Sequence, residues 1–235
     1  MSQKAIKISV IIPVYNEEKK IYNLVANIKK AANAHVAEVL VSDGQSNDNT
    51  RSEALRAGAK VILSPKKGRA YQMNLAAQQA TGEFLYFLHA DVENHKNFCY
   101  HIQNTLSNGV DLACYRYRFD SKKHLLRINS FLTRFHTIWS GGGDQSLMIR
   151  KQIFERCHGF KDDMIIMEDF EFVERAKKQG FTFKIIPYEI KVSARKYDKN
   201  SWIRVQIVNL LTIIAWKIGV PQDKLHLFYQ RSLNW

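Results

Sequence analysis

The feature that most constrains this chain is the alternation, through its first half, of short apolar runs with segments of helical spacing. Lys7–Ile12 reads as a strand of the kind buried on both faces. After it, Ile21, Leu24, Val25 and Ile28 recur on one helical face, with Asn16 as a candidate cap and Glu17 and Glu18 in the first turn. A strand over Glu38–Ser42 runs into Asp43-Gly44, and a helix over Asp48–Ala57 is closed by Gly58. Lys60–Leu63 is a third strand, Gly68–Ala80 a helix stopped at Thr81-Gly82, and Glu83–Leu88 a fourth strand. Strands separated by helices predict an α/β fold built on a mostly parallel, doubly wound sheet flanked by helices. Such sheets bind ligands beyond the carboxyl ends of their strands. Those ends read Pro13-Val14-Tyr15-Asn16-Glu17, Asp43-Gly44-Gln45-Ser46-Asn47-Asp48 and His89-Ala90-Asp91.

The second half is less regular. The patterning predicts a strand over Asp111–Phe119, a basic and aromatic helical stretch over Lys122–Trp139, and a turn at Gly141-Gly142-Gly143-Asp144. A strand over Gln145–Ile149, a helix over Met167–Gln179 and two strands, Thr182–Ile186 and Glu189–Ser193, follow, then an apolar helix over Ser201–Ile218. With 235 residues and no linker or repeat, the chain reads as one domain. Residues 1–110 would form a nucleotide-binding half, 111–200 an acceptor and catalytic half, and 201–235 a C-terminal helical segment.

A net charge of +13 favours anionic partners such as nucleotides or phospholipid surfaces, and no basic block is long enough to read as a nucleic-acid tail. Cys99, Cys114 and Cys157 have neither disulfide nor metal spacing. The apolar stretch Ile8–Val14 is too short for a signal peptide, and no run spans a bilayer. A cytoplasmic protein with at most weak peripheral contact at a membrane surface is therefore expected. On the last helix Ile203, Ile207, Leu210, Leu211 and Ile214 form one stripe, read first as core packing and second as an interfacial face.

Several acids stand where chemistry is expected. Asp91 follows an apolar strand and suits a hard divalent cation at a diphosphate, or equally caps the helix over Asn97–Leu106. Asp43 can accept from a nucleobase or ribose, or stabilise its own Asp-Gly turn. Lys66-Lys67-Gly68-Arg69 opens a helix, where N–H groups and cations favour an anion. Asp169, Phe172, Val173 and Ala176 form a core-facing stripe with an acid in its first slot, the position of a general base at a cleft. Glu168 and Glu171 fit a helix-dipole role better than Asp169 does. Arg195 and Lys196 follow a strand and could reach a phosphate, and Asp144 could bond sugar hydroxyls.

In series, these segments resemble the family-2 glycosyltransferases of GT-A fold. The resemblance rests on Ser9-Val10-Ile11-Ile12-Pro13-Val14-Tyr15-Asn16-Glu17-Glu18, Val41-Ser42-Asp43-Gly44-Gln45-Ser46-Asn47-Asp48, Gly68-Arg69-Ala70-Tyr71-Gln72-Met73-Asn74, Leu88-His89-Ala90-Asp91, Gly142-Gly143-Asp144-Gln145 and Met167-Glu168-Asp169, in that order. It is similar in particular to stand-alone transferases associated with radical-SAM and selenium-related proteins, through Gly-Arg-Ala-x-Gln-Met-Asn, Leu-His-Ala-Asp and Ser193-Ala194-Arg195-Lys196-Tyr197. The resemblance implies a nucleotide-sugar donor held by Pro13, Tyr15, Glu17, Asp43, Gly68, Arg69, Asn74, His89 and Ala90. It implies Mg²⁺ or Mn²⁺ on Asp91, the diphosphate near Arg195, the acceptor near Gly143, Asp144 and Glu168, and Asp169 as the base of an inverting transfer. The acceptor is unspecified, a lipid-linked one being compatible.

His89 departs from the family by replacing the first acid of its Asp-x-Asp motif, which bears on metal affinity and ribose contact. The Gln-x-x-Arg-Trp motif of processive synthases is absent, so single additions are expected. A sugar nucleotidyltransferase would want a glycine-rich, basic loop where the acidic Pro13–Glu18 segment stands. A non-catalytic module binding anions or membranes by charge is opposed by the presence of Asp91 and Asp169.

Overall fold

The computed structural model describes residues 6–32, 35–135 and 145–234. The elements run β1 (Ile8–Val14), α1 (Glu18–Ala31), β2 (Val36–Asp43), α2 (Thr50–Arg56), β3 (Lys60–Leu63), α3 (Arg69–Gln79), β4 (Phe84–Phe87), β5 (Val92–Glu93) and α4 (Phe98–Ser107). There follow β6 (Leu112–Phe119), α5 (Leu126–Leu132), β7 (Leu147–Arg150), α6 (Lys151–Arg156), α7 (Glu168–Lys178), β8 (Phe183–Val192), α8 (Trp202–Lys217) and α9 (Gln222–Ser232). The strands form one sheet in the order β3-β2-β1-β4-β7-β6-β8-β5. β1, β2, β3 and β4 pair in parallel, as do β6 and β8; β7 runs antiparallel to β4 and β6, and β5 to β8.

β1 lies in the middle of the parallel half and is buried along its length. Its alternate residues Ile8, Val10, Ile12 and Val14 meet Ile21, Val25 and Ile28 of α1 and Phe98 and Ile102 of α4. Ile11 points to the other face, where it joins Met73 and Ala76 of α3 and Phe172 and Val173 of α7. The period-two alternation of a strand thus feeds two helical layers at once. At the far edge, Leu126, Ala194, Tyr197, Val205, Val208 and Leu233 form a small separate cluster under α8.

Several expectations need correction. Asn16 does not cap α1: it has φ 55, and its side chain accepts from the Asn47 N–H instead (3.0 Å), while no side chain caps the helix. The two strands expected over Thr182–Ser193 are one strand, β8, whose register on β6 shifts opposite Tyr115/Arg116. Pro187 lies at that shift, where a residue without an N–H cannot continue the ladder. The helix expected to begin at Lys122 begins at Leu126. The short β5 and the helix α6 escaped the pattern reading, while α9 falls within the C-terminal helical segment expected over residues 201–235. The Gly141–Asp144 turn, with the acceptor residues Gly143 and Asp144, lies outside the described residues.

The largest correction is on α8. The stripe Ile203, Ile207, Leu210, Leu211 and Ile214 faces solvent, and Val205, Val208, Thr212 and Ile213 are the buried positions. Most sides of this helix are apolar, so periodicity does not select the face that packs.

Candidate functional site

The site is built on the carboxyl ends of β1, β2 and β4. Gln72, buried on α3, donates to the carbonyls of Val14 (2.9 Å) and Ser42 (2.7 Å) and so ties the ends of β1 and β2 together. A Cβ on Gly44 would sit 2.8 Å from the Gln72 Oε1, so this clasp needs glycine there. Asp43 is 1% exposed; its Oδ2 accepts from the Ser46 N–H (3.1 Å) and lies 3.8 Å from Arg51 Nε. The other oxygen, Oδ1, is buried with no hydrogen-bond partner. A buried carboxylate oxygen without a donor is costly, and an N–H from a ligand would remove the cost. The Asp-Gly turn reading therefore accounts for only one of the two oxygens.

Tyr15, exposed beyond β1, carries the Lys67 ammonium 4.1 Å over its ring and accepts a 2.9 Å hydrogen bond from it. Its neighbours are tied to the β2 loop by the Asn16 N–H donating to Ser46 Oγ (2.9 Å) and the Glu17 N–H to Thr50 Oγ1 (2.7 Å). Gly68 caps α3 with φ 138, a backbone shape that other residues rarely adopt, and nothing lies within 4 Å of where its Cβ would stand. The mouth of α3 is thus open to a ligand, beside Arg69 and Lys67.

The opposite wall is the start of α7. Met167 has φ 68, an uncommon left-handed turn for a non-glycine residue, and delivers Glu168 and Asp169 into the molecule. Both acids are buried, at 1% and 5% exposure. Glu168 pairs with Arg69 of α3, Nε to Oε1 at 2.9 Å, closing the two helix starts on each other. Glu171 pairs with Arg175 (2.9 Å) and Lys161 (3.1 Å). Glu168 does stand in the first turn of α7, as a dipole role requires, and it is in addition the buried half of an interhelical ion pair. Asp169, Phe172, Val173 and Ala176 do share the buried face.

β4 ends in His89-Ala90-Asp91. His89 is buried with Nε2 3.9 Å from Asp169 Oδ2. Burial, aided by the charge of Arg69, holds the imidazole pKa well below its usual value against the opposing pull of Asp91 and Glu168. His89 is accordingly neutral at neutral pH. Ala90 is half-buried against the α1-side core. Asp91 faces Arg195, which follows β8: Nη2 is 3.4 Å from Asp91 Oδ2 and 3.8 Å from Glu17 Oε1. Burial raises the pKa of Glu17; Lys20 and Arg195 oppose that, and the nearby charges of Asp91 and Asp48 add to it.

The structure thus brings together Pro13, Tyr15, Glu17 and Asp43 on one side, Gly68 and Arg69 above, and His89, Ala90, Asp91, Glu168, Asp169 and Arg195 around the far end. Asn74 is turned to another task. Both its amide N–H bonds are taken, by Phe160 O (2.7 Å) and Asp162 (2.8 Å), and its oxygen accepts from the Phe160 N–H (2.9 Å). It clamps the loop after α6. Lys196 also leaves the site, donating to Tyr229 of α9 (3.1 Å). Gln72 and the Glu17–Arg195 approach were not expected; Gln72 lay inside the recognised Gly68–Asn74 motif, but nothing in the sequence tells a clasp from a ligand contact.

A divalent cation can be tested against two donor sets. Among the described residues, His89, Glu168 and Asp169 offer ligand atoms all within 4.8 Å of one another, but all three are buried and Glu168 already holds Arg69. Asp91 Oδ2 and Glu17 Oε1 both lie within 3.8 Å of Nη2 of the half-exposed Arg195, so two carboxylates flank one cation there. Hard cations that share ligands with a diphosphate need carboxylate oxygens and open coordination positions, and the Asp91 side fits that need.

The model of the family described as glycosyl transferase family 2 matches residues 9–160. A glucosyl-3-phosphoglycerate synthase of Mycolicibacterium smegmatis is 34% identical over 95 residues, which cover 36% of this chain and 31% of that protein. The undecaprenyl-phosphate 4-deoxy-4-formamido-L-arabinose transferase of Proteus mirabilis is 24% identical over 223 residues, covering 89% of this chain and 67% of that one. Among solved structures, the mannosyltransferase PcManGT of Pyrobaculum calidifontis, in complex with GDP-Man and Mn²⁺, superposes with a TM-score of 0.69 at 20% identity, covering 95% of this chain and 69% of that one. The match to the Mycolicibacterium smegmatis synthase spans about a third of that protein's length.

Proposed function

The chain belongs to glycosyl transferase family 2 and has the GT-A fold, and from that premise we propose that it is an inverting, non-processive transferase, moving one sugar from a nucleoside-diphosphate donor to an acceptor hydroxyl. One observation carries this reading: His89 and Asp169 lie 3.9 Å apart, so the His89-Ala90-Asp91 turn at the end of β4 meets the acid at the start of α7. Two of the sequence relatives are by name a glucosyl-3-phosphoglycerate synthase and an undecaprenyl-phosphate 4-deoxy-4-formamido-L-arabinose transferase, which supports a sugar-transfer reading.

In this reading the nucleobase donates to the orphan oxygen of Asp43, with Pro13 and Tyr15 lining its slot. The diphosphate lies between the mouth of α3, at Gly68 and Arg69, and the Arg195 guanidinium. Asp91, with Glu17 beside it, would hold Mg²⁺ or Mn²⁺, which supplies charge neutralisation to the departing diphosphate. Asp169 accepts the proton of the acceptor hydroxyl as its oxygen bonds to the anomeric carbon, and the carbon–oxygen bond to the diphosphate breaks on the opposite face. That displacement inverts the anomeric configuration. His89, neutral, stands beside Asp169 without competing for the proton. Arg195 and Arg69 face the negative charge that develops on the leaving group.

The acceptor is given as a chemical class, an alcohol, a lipid-linked sugar included. A sugar nucleotidyltransferase is disfavoured by the acidic Glu17 and Glu18 at the position where that chemistry needs a basic, glycine-rich loop. The test is thermal shift against a panel of nucleotide sugars with and without Mn²⁺, followed by NMR of the product's anomeric proton. Stabilisation by one donor and an inverted product are expected. No stabilisation by any donor, or a retained configuration, overturns the reading.

A further inference from the structure

The outer face of α8 is unusual for a surface helix. Ile203, Ile207, Leu210, Leu211 and Ile214 are between 41% and 63% exposed, at positions that make one continuous stripe. The opposite face of the helix is already in place, with Val205 and Val208 on Ala194 and Tyr197. α5 lies alongside: Asn129 accepts from Trp202 Nε1 (2.7 Å) and donates to Gln206 (3.2 Å). α5 and the turn after it likewise expose Ile128, Phe131 and Phe135, at 46% to 52%. Single exposed apolar residues need no explanation, but two adjacent helices presenting such stripes form a patch that marks an interaction surface.

Charge selects the occupant. Residues 121–135 and 199–234, which carry this patch, contain nine Lys and Arg and one acid, Asp223. Among the described residues Lys123 reaches Asp198, Arg134 reaches Glu189 and Lys217 reaches Glu174, and with these three acids added to Asp223 the nine cations still leave the rim positive. A symmetric pairing of two copies would bring two such rims together, which like-charge repulsion opposes. An anionic lipid surface meets both demands, accepting the apolar stripes between headgroups and the basic rim against them. Among the described residues no helix is long and apolar enough to cross a membrane, so the contact would be in the interfacial plane.

We propose that the α5–α8 face docks this protein on a membrane surface carrying anionic lipids. The inner side of the dock holds Ala194 and Tyr197, which flank Arg195 in sequence, so α8 packs on the segment that carries Arg195. The inference stands apart from the proposed transfer chemistry, because it is read by binding alone.

The experiment is vesicle flotation of the full chain, with vesicles of phosphatidylcholine alone and of phosphatidylcholine mixed with phosphatidylglycerol, at low and high salt. The wild type is expected to float with the anionic vesicles at low salt and to be released as salt rises. The double variant Ile207→Glu, Leu211→Glu places charge at exposed positions, so it folds, and it is expected to bind these vesicles about tenfold or more weakly. Its nucleotide affinity should be unchanged, which separates failure of the dock from failure of the site. Absence of flotation at low salt, or equal flotation of the double variant, overturns the proposal. So does a wild-type dimer in sedimentation velocity that the double variant dissolves, since a second copy would then cover the face.

Discussion

Arg69 and Glu168 stand 99 residues apart in the chain and 2.9 Å apart in the fold, one half-exposed at the start of α3, the other buried at the start of α7. This ion pair joins the parallel half of the sheet to the helix that carries the proposed base. Arg69→Met removes the cation and leaves a carboxylate buried; Glu168→Gln removes the charge instead. Arg69→Met is therefore expected to be the more destabilising, by about 1–3 kcal/mol, a range lowered by the solvent that reaches Arg69. Urea unfolding of the two variants checks it, and the reverse order would contradict the pairing.

Asp91→Ala is expected to abolish the metal-dependent part of nucleoside-diphosphate binding. Arg195 would lose its nearer carboxylate and keep only the longer approach to Glu17. Titration calorimetry with and without Mn²⁺ reads this directly. An unchanged metal-dependent affinity would remove Asp91 from the role.

Asp169→Asn is expected to keep donor binding and to lose transfer by on the order of 10²-fold or more, the scale of a general base. The amide keeps the size of the carboxylate in a site 5% exposed, so folding should survive. Near wild-type turnover would rule the role out.

Stability should fall in mild acid. His101 is buried between Tyr115, its Nδ1 3.1 Å from the hydroxyl, and Tyr188, whose ring stacks at 3.7 Å. Burial, aided by His95, pushes its pKa down from 6.5 to about 4, and His89 is shifted the same way. As pH falls below 6.5 the unfolded chain takes up protons that the folded chain refuses, so stability declines toward pH 4. The slope is up to about 1.4 kcal/mol per pH unit for each such group. Urea midpoints measured between about pH 7 and about pH 5 should show it, and His101→Phe should flatten the curve. A midpoint independent of pH in the wild type would contradict the burial of both imidazoles.

The strand-end positions of the candidate site were legible in the sequence. In a parallel sheet the chain leaves every strand at the same edge, so Asp43 and Asp91, each at a strand end, had to gather there. Asp169 was legible because one acid interrupted an otherwise apolar helical stripe. Asn74 was misplaced for the converse reason. It lies in a recognised motif, but a motif assigns a neighbourhood and not a direction, and its amide turns to the loop at Phe160.

Local sequence determined the strands, most helices and the acids at their ends, because backbone period and side-chain polarity are properties of neighbouring residues. Contacts between distant segments decided the rest. The Gln72 clasp, the Arg69–Glu168 pair and the meeting of Arg195 with Asp91 each join residues that no local pattern relates. The same holds for α8. Its sequence is apolar on most sides, so the buried face is chosen by what it meets, and Ala194, Tyr197, Leu126 and Leu233 meet Val205 and Val208. Ile203, Ile207, Leu210, Leu211 and Ile214 are left outside because the core beneath α8 is too small to cover a second face.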